Sequence, residues 1–243
     1  MTILVNTSTV NSGSRTFLYL TQMLRQEIGA SGSGPTTCQN QTGESQRLVQ
    51  WINDAWMEIQ ELHEDWDFLR KSFSFNTVSQ QPNYTALESA GLTDFGIWKK
   101  NTFRCYTTAN NFADEMVMPW VDYEEYRNLY QYANMRFTYN RPVCFSIGPL
   151  RDIWLGNVPD GVGYTVLGDY YSTPYQFIND TDTLPTTYPD RYWKLIVHKA
   201  KMFYATFEEN AALYASSSLD YNRMLSKLEI DQLPTIGYGS SLA

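Results

Sequence analysis

Apolar positions in the last fifth of the chain recur at alternating spacings of four and three. Ala200, Tyr204, Phe207, Ala211, Tyr214, Ser218, Tyr221, Leu225 and Leu228 follow this rhythm between Pro189 and a break at Leu233-Pro234. Such spacing paints one stripe along a helix. It predicts one long amphipathic helix over 189–230, or two stacked end to end. At about 1.5 Å per residue that is a rod of roughly 60 Å, longer than a domain of 243 residues needs for its own core. Tyr and Ala predominate in the stripe where Leu and Ile would be expected, so the reading is of a rod that packs against other chains.

The same rhythm marks a second helix through Leu48, Ile52, Ala55, Ile59, Leu62, Trp66 and Leu69, widened by Trp51 and Trp56, with Thr42 or Glu44 at its start. An earlier helix is predicted from about Ser14, its face made by Phe17, Leu20, Leu24 and Ile28 and its end by Gly29. The Gly/Ser-rich residues 29–43 between these helices read as a flexible linker. From about Arg70 to Asp182 the period shortens to two: Phe73, Phe75 and Thr77 alternate, as do Phe103, Cys105 and Thr107, and Val143, Phe145 and Ile147. The runs Ile153–Leu155 and Tyr164–Tyr171 flank Pro159-Asp160-Gly161 and predict a hairpin. Within this region Asp122 and Glu125 form a capping box opening a short helix through Tyr132.

The fold class expected is α+β: a helical bundle with a long C-terminal helix (or two stacked helices) and an inserted small antiparallel β-domain. Residues 1–13 are expected as a flexible N-terminal arm, 14–69 and 183–233 as the helical core, 70–182 as the insert, and 234–243 as an extended tail.

Composition adds an aromatic share of 15%, with 18 Tyr and 7 Trp. Tyr and Trp are enriched at interfaces, although aromatic cross-strand pairs in a β core would account for them equally well. The net charge of −8 comes with no run of more than two cations, which argues against tight nucleic-acid binding, because that needs a basic stripe to displace counterions from phosphates. An acidic surface still suits a passage through which DNA slides without sticking. Cys38, Cys105 and Cys144 show no metal spacing and read as small buried hydrophobes in a protein made in a reducing cytosol. The N-terminus has no secretory pattern, and no apolar run approaches the roughly 18 residues of a membrane span. The sequons at Asn6, Asn40, Asn83 and Asn179 are then chance.

Candidate chemistry is sparse. Of the two histidines, His63 sits among carboxylates in Leu62-His63-Glu64-Asp65-Trp66-Asp67, and His198 sits beside Lys199. Neither has a second ligand at metal-binding spacing, and both read as solvated helix faces. Glu124-Glu125 and Glu208-Glu209, with the many Trp, are the only material for a glycosidase-like carboxylate pair. The chain has no phosphate loop, no GxSxG and no local nucleophile arrangement. No catalytic residue, cofactor or metal site is expected, and the reading is not an enzyme.

Three stretches resemble a known family. Glu44 to Ile59, with Leu48, Trp51, Ile52, Asn53, Ala55, Glu58 and Ile59, is similar to the LL-x-W-I-N-x-A-x-x-E-I helix of tailed-bacteriophage head-to-tail adaptor (connector) proteins. Leu184-Pro185 to Asn210, with Tyr192, Leu195, Ile196, Ala200, Tyr204, Ala205 and Glu208, is similar to their LP-x-x-Y-x-x-L-I-x-x-A-x-x-x-Y-A-x-x-x-E-D helix, and Tyr221–Leu228 followed by Leu233-Pro234 looks like their closing helix and extended C-terminus. The resemblance implies a virion protein at the head–tail junction, assembled in the host cytoplasm. It implies a homo-oligomeric ring, usually of about twelve copies, docking under the portal protein, receiving tail or nozzle proteins and passing double-stranded DNA without sequence-specific binding, with no membrane involved. On this reading Tyr204, Phe207, Ala211, Tyr214 and Tyr221 pack the ring. Leu233, Pro234, Thr235, Ile236 and Tyr238 form the portal-docking tail, and Glu208, Glu209 and Asp220 face the channel. Rival readings are a tail-completion or tail-tube ring protein and a carbohydrate-binding or hydrolytic tail accessory.

Overall fold

The structure, a computed structural model, describes residues 15–32 and 34–233. The chain divides into two compact units: a helical unit of residues 1–68 and 174–243, and a β-rich unit of residues 69–173. The class is α+β with a small antiparallel sheet domain.

The helical unit is built from α1 (Phe17–Glu27), α2 (Gly43–Glu61), α5 (Lys194–Phe207) and α6 (Ala211–Gln232). Thr16 caps α1, its hydroxyl accepting from the Tyr19 N–H at 3.2 Å; the Ser14 cap expected from sequence lies outside the described residues. Gly29, at φ 75°, ends the helix in the left-handed conformation that glycine adopts without a Cβ penalty. Its N–H reaches the Gln26 carbonyl while Ala30 N–H reaches Arg25, a Schellman closure. The Gly/Ser stretch that follows was expected to be flexible, yet its described residues are tied down. Arg25 donates to the Ser31 carbonyl, Gln22 to that of Pro35, and the Cys38 N–H to the Asp180 carboxylate at 2.6 Å.

Helix α2 buries Leu48, Ile52, Ala55, Trp56 and Ile59 along the face the periodicity marks, and it stops at Glu61. Leu62 is therefore outside the helix and 46% exposed, whereas Trp66 and Leu69 are buried beyond its end. Trp56 is the hub of the unit. Its ring stacks on Phe68 and Phe177, with centroids 5.8 Å away in each case, and meets Tyr188 edge-on at 5.5 Å.

Residues 174–182, expected in the β insert, run along α2 instead. Two side-chain amides one heptad apart hold them there. Asn53 donates to the Phe177 carbonyl and accepts its N–H, at 3.2 and 3.0 Å, and Gln60 does the same for Tyr175 at 2.9 and 3.2 Å. Alternate residues of an extended chain point their peptide groups the same way, so two amides two turns apart on a helix can read positions 175 and 177. Asp182 then closes a turn by accepting the Ile178 and Asn179 N–H groups at 2.7 and 2.8 Å. Those bonds hold its carboxyl below the usual carboxylate range.

The 189–230 stretch forms two helices, and they pack side by side rather than end to end. Arg191 pairs with Asp231 at 2.6 Å, the Tyr192 hydroxyl donates to the Lys227 carbonyl, and Lys199 lies over the Tyr221 ring. As position rises on α5 its partner falls on α6, so the pair is an antiparallel αα-hairpin. Asp190–Tyr192 forms one 3₁₀ turn before α5.

The β-rich unit holds two antiparallel sheets. One has the order β1 (Arg70–Asn76), β7 (Tyr164–Ser172), β3 (Phe95–Thr107), β4 (Met116–Val117), and the other β2 (Asn83–Tyr84), β6 (Ile153–Gly156), β5 (Cys144–Ile147). Both contribute to one core, in which Phe103 of β3 stacks on Phe145 of β5 with centroids 3.8 Å apart and planes 12° from parallel. The predicted Ile153–Tyr171 hairpin does not form, because β6 pairs with β5 while β7 pairs with β1 and β3. The Pro159-Asp160-Gly161 turn carries the chain from one sheet to the other. Helix α4 (Tyr123–Tyr130) is capped by Asp122, which accepts the Glu124 N–H at 2.9 Å, and it ends two residues earlier than expected. A short helix α3 (Ala86–Ala90) completes the unit.

Candidate assembly surface

The turn of the α5–α6 hairpin is set by three residues. Glu208 ends α5, Glu209 takes φ 54°, and Asn210 caps α6 by accepting the Leu213 N–H at 3.0 Å. Glu209 N–H bonds to Thr206 O and Asn210 N–H to Ala205 O, the same Schellman pattern that ends α1, here with a non-glycine residue in the left-handed region. That conformation costs about 1–2 kcal/mol for an L-residue. This is the physical reason the periodic stripe is interrupted: its rhythm runs through 208–210, but the backbone reverses there.

The residues expected to pack the ring divide between inside and outside. Tyr204 meets Trp51 edge-on at 5.9 Å; its hydroxyl pKa is raised by burial and by Glu208 and Glu44. Phe207 is 51% exposed, with one side against Trp51 at 5.8 Å and the Arg47 guanidinium 4.4 Å from its ring centre. Ala211 is exposed and Tyr214 is 43% exposed. These two, with Ala205, Thr206, Glu209 and Asn210, line a shallow depression of about 310 Å³ at the turn. Tyr221 is different. It is 7% exposed and lies beneath Lys199, whose ammonium is 5.4 Å from its ring, and burial pushes its hydroxyl up to about 12, with Glu58 and Glu229 adding to the shift. Its ring belongs to the protomer's own interior.

Glu208 and Glu209 stand exposed at the turn. Asp220 is also exposed but lies about 14 Å along α6 from Ala211, so the three acids do not form one cluster. Leu233 is half-buried just past the end of α6, its N–H on the Glu229 carbonyl. Pro234, Thr235, Ile236 and Tyr238 of the expected docking tail lie outside the described residues.

Several features were not evident from the sequence. Helix α6 runs for 22 residues yet buries only Ser217, Tyr221 and Leu228, leaving Leu219 72% and Ile230 80% exposed on its outer side. Leu219 and Ile230 both lie on the side of α6 opposite Tyr221 and Leu228. Near the open end of the hairpin, Arg191, Arg223 and Lys227 line a second depression of about 360 Å³ with Tyr192 and Met224. Lys199 pairs with Glu58 at 2.5 Å, tying α5 to α2. No periodic apolar stripe marks that side of α6 in the sequence, because Asn222, Arg223, Ser226 and Lys227 stand between Leu219 and Ile230.

His63 bonds the Glu229 carboxylate at 3.2 Å and sits edge-on to Trp66 at 4.9 Å, joining the end of α2 to α6. His198 is half-buried rather than solvated, and burial lowers its pKa. Among the described residues no group of His, Cys, Asp or Glu gathers to hold a metal ion, and no helix is long and apolar enough to cross a membrane.

Comparison with curated proteins returns no match. The family model described as SU10 adaptor protein matches residues 15–238, from the start of α1 through α6 and including the β-rich unit. The match thus covers both helical segments that carry the adaptor-like motifs and the insert between them, and the chain belongs to the SU10 adaptor protein family, a family of structural phage head-to-tail adaptors.

Proposed function

We propose that copies of this chain form a ring of about twelve at the head–tail junction. The ring docks beneath the portal, extends the DNA channel and offers the platform on which tail proteins assemble. The observation that carries this reading is α6, a 22-residue helix with three buried positions and with Leu219 and Ile230 in the open. In a ring, that outer face and the Phe207–Tyr214 end of the hairpin meet the neighbouring copy. Residues 233–243 reach the portal. Glu208, Glu209 and Asp220 give the passage a negative lining that repels phosphates, so the duplex slides without sticking.

The test is reconstitution. Full-length protein mixed with purified portal is expected to add a ring visible by electron microscopy. Leu219→Asp with Ile230→Asp is expected to leave a folded monomer that adds none. A chain ending at Leu233 is expected to keep its helicity but fail to dock. Unchanged docking by both variants refutes the reading.

A further inference from the structure

The β-rich unit carries a cleft that its core does not need. Residues 126–151 contain four arginines and no acid, in a chain with a net charge of −8. Within this stretch α4 and the segment after it wall a cleft of about 460 Å³, lined by Tyr126, Tyr130, Phe137 and Tyr139 and rimmed by Arg127 and Arg136. The walls are fixed from beneath. The Tyr126 hydroxyl donates to the Leu155 carbonyl at 3.0 Å, and Tyr130 stacks on Tyr126 at 5.5 Å. Residues 138–140 are bonded to Val158 through the Asn140 N–H and the Thr138 carbonyl. The upper surface is open: Phe137 is 62% and Tyr139 45% exposed. Arg127 and Arg136 are exposed and form no ion pair among the described residues; Arg136 only donates to the Gln131 carbonyl. An aromatic floor between two unpaired guanidinium groups fits an apolar knob flanked by carboxylates.

The helical unit displays such a knob. Leu62, 46% exposed, follows the last residue of α2 and is flanked by Glu61, Glu64, Asp65 and Asp67. None of these four acids has an ion-pair partner among the described residues. The acidity of the chain is concentrated in the helical unit: sixteen acids stand against nine cations there, and ten against nine in the β-rich unit, whose small excess of acid lies outside residues 126–151. We infer that the α4 cleft of one copy receives the Leu62 acidic turn of a second copy. This adds a specific charged contact to the ring proposed above, on which it rests. Such a contact joins two different surfaces and propagates head to tail, and unlike charges facing across it fix register and select the partner.

The experiment uses full-length chains in two charge-reversed forms: Arg127→Glu with Arg136→Glu, and Glu61→Arg with Glu64→Arg. All four positions are exposed, and circular dichroism checks that each form folds. By sedimentation velocity, wild-type protein is expected to self-associate, and each reversed form to do so at least about tenfold more weakly, the scale of a close interfacial charge pair. An equimolar mixture of the two is expected to regain association. A photo-crosslinker in place of Phe137, in a mixture of ¹⁵N-labelled and unlabelled chains, is expected to join residues 61–67 of a different chain. Wild-type-like association of either reversed form, a mixture that stays apart, a wild type that stays monomeric, or adducts within one chain or elsewhere overturns the cleft contact. Those results leave the adaptor reading untouched, since it stands or falls on ring formation at the portal. Binding of an acidic tail protein at Phe137 in assembled particles likewise overturns this inference while keeping the adaptor.

Discussion

Gln60 offers the sharpest test of how the helical unit holds together. Its side-chain amide is 1% exposed and makes two bonds to the Tyr175 peptide, at 2.9 and 3.2 Å, and a third to the Trp56 carbonyl at 3.2 Å. Gln60→Ala removes both bonds that anchor residue 175 and leaves that N–H and C=O short of partners. Each net bond is worth about 1 kcal/mol, with more where a group is left unsatisfied, and the truncated side chain leaves a small void. Because Tyr175 is 38% exposed, water can reach part of this site, so the expected loss is about 2–3 kcal/mol rather than the full buried penalty. In urea that is a fall in midpoint of roughly 1–2 M for the helical unit. Gln60→Glu is the more discriminating variant. A carboxylate there accepts the Tyr175 N–H as before but faces the Tyr175 and Trp56 carbonyls with no proton to donate. Its folded pKa is therefore raised above the unfolded value of about 4.3. A group with a raised folded pKa binds more protons when folded, so the deficit is full near neutral pH and shrinks as pH falls toward that unfolded value. Urea melts at pH 7 and pH 4.5, followed by circular dichroism, read the effect. A Gln60→Glu protein as stable as wild type at pH 7, or one whose deficit grows on acidification, refutes the two-bond anchor.

Three further expectations follow from individual sites. Gly156→Ala places a Cβ 2.2 Å from the Cys144 sulfur, so it overpacks the β-rich unit and is expected to cost about 1–3 kcal/mol, measured as a fall in its urea midpoint; no change contradicts the packing described. Burial lowers the His198 pKa, so the unfolded chain binds the proton first and stability is lost as pH falls below about 6.5; His198→Asn is expected to flatten the stability profile between pH 7.5 and 5.5, and an unaltered slope counts against it. Burial pushes the Cys38 and Cys105 thiols up to about 11 and raises that of Cys144, so a thiol-reactive dye at pH 8 is expected to label native protein negligibly and all three cysteines in denaturant.

The elements were legible wherever one face of a helix or strand is buried for most of its length. Leu48, Ile52, Ala55 and Ile59 marked α2, and Phe73 and Phe75 marked β1, because burial on one side leaves its period in the sequence. The pairing of strands was not legible in the same way. Ile153–Leu155 and Tyr164–Tyr171 alternate as hairpin strands do, yet each finds its partners in a different sheet, and alternation carries no record of which strand lies alongside. Among the candidate site residues, Phe207 and Tyr214 stand at the surface as an interface reading requires, whereas Tyr221 shares their spacing and is buried. A stripe says that a face is covered, not what covers it.

By itself the sequence determined the α+β class, the main helical and strand runs, and a motif order matching the adaptor family, because these depend on local periodicity and residue identity. Only the tertiary structure decided that the 189–230 stretch doubles back. The reversal is made by Glu208, the left-handed Glu209 and the Asn210 cap, and a backbone angle leaves no mark on the hydrophobic rhythm. Antiparallel packing of α5 on α6 then satisfies the Tyr/Ala stripe partly from within and turns Leu219 and Ile230 outward. Which face is inside is a property of the packed pair, fixed by contacts such as Arg191–Asp231 and Lys199–Tyr221 between residues too far apart in sequence for any local pattern to connect them.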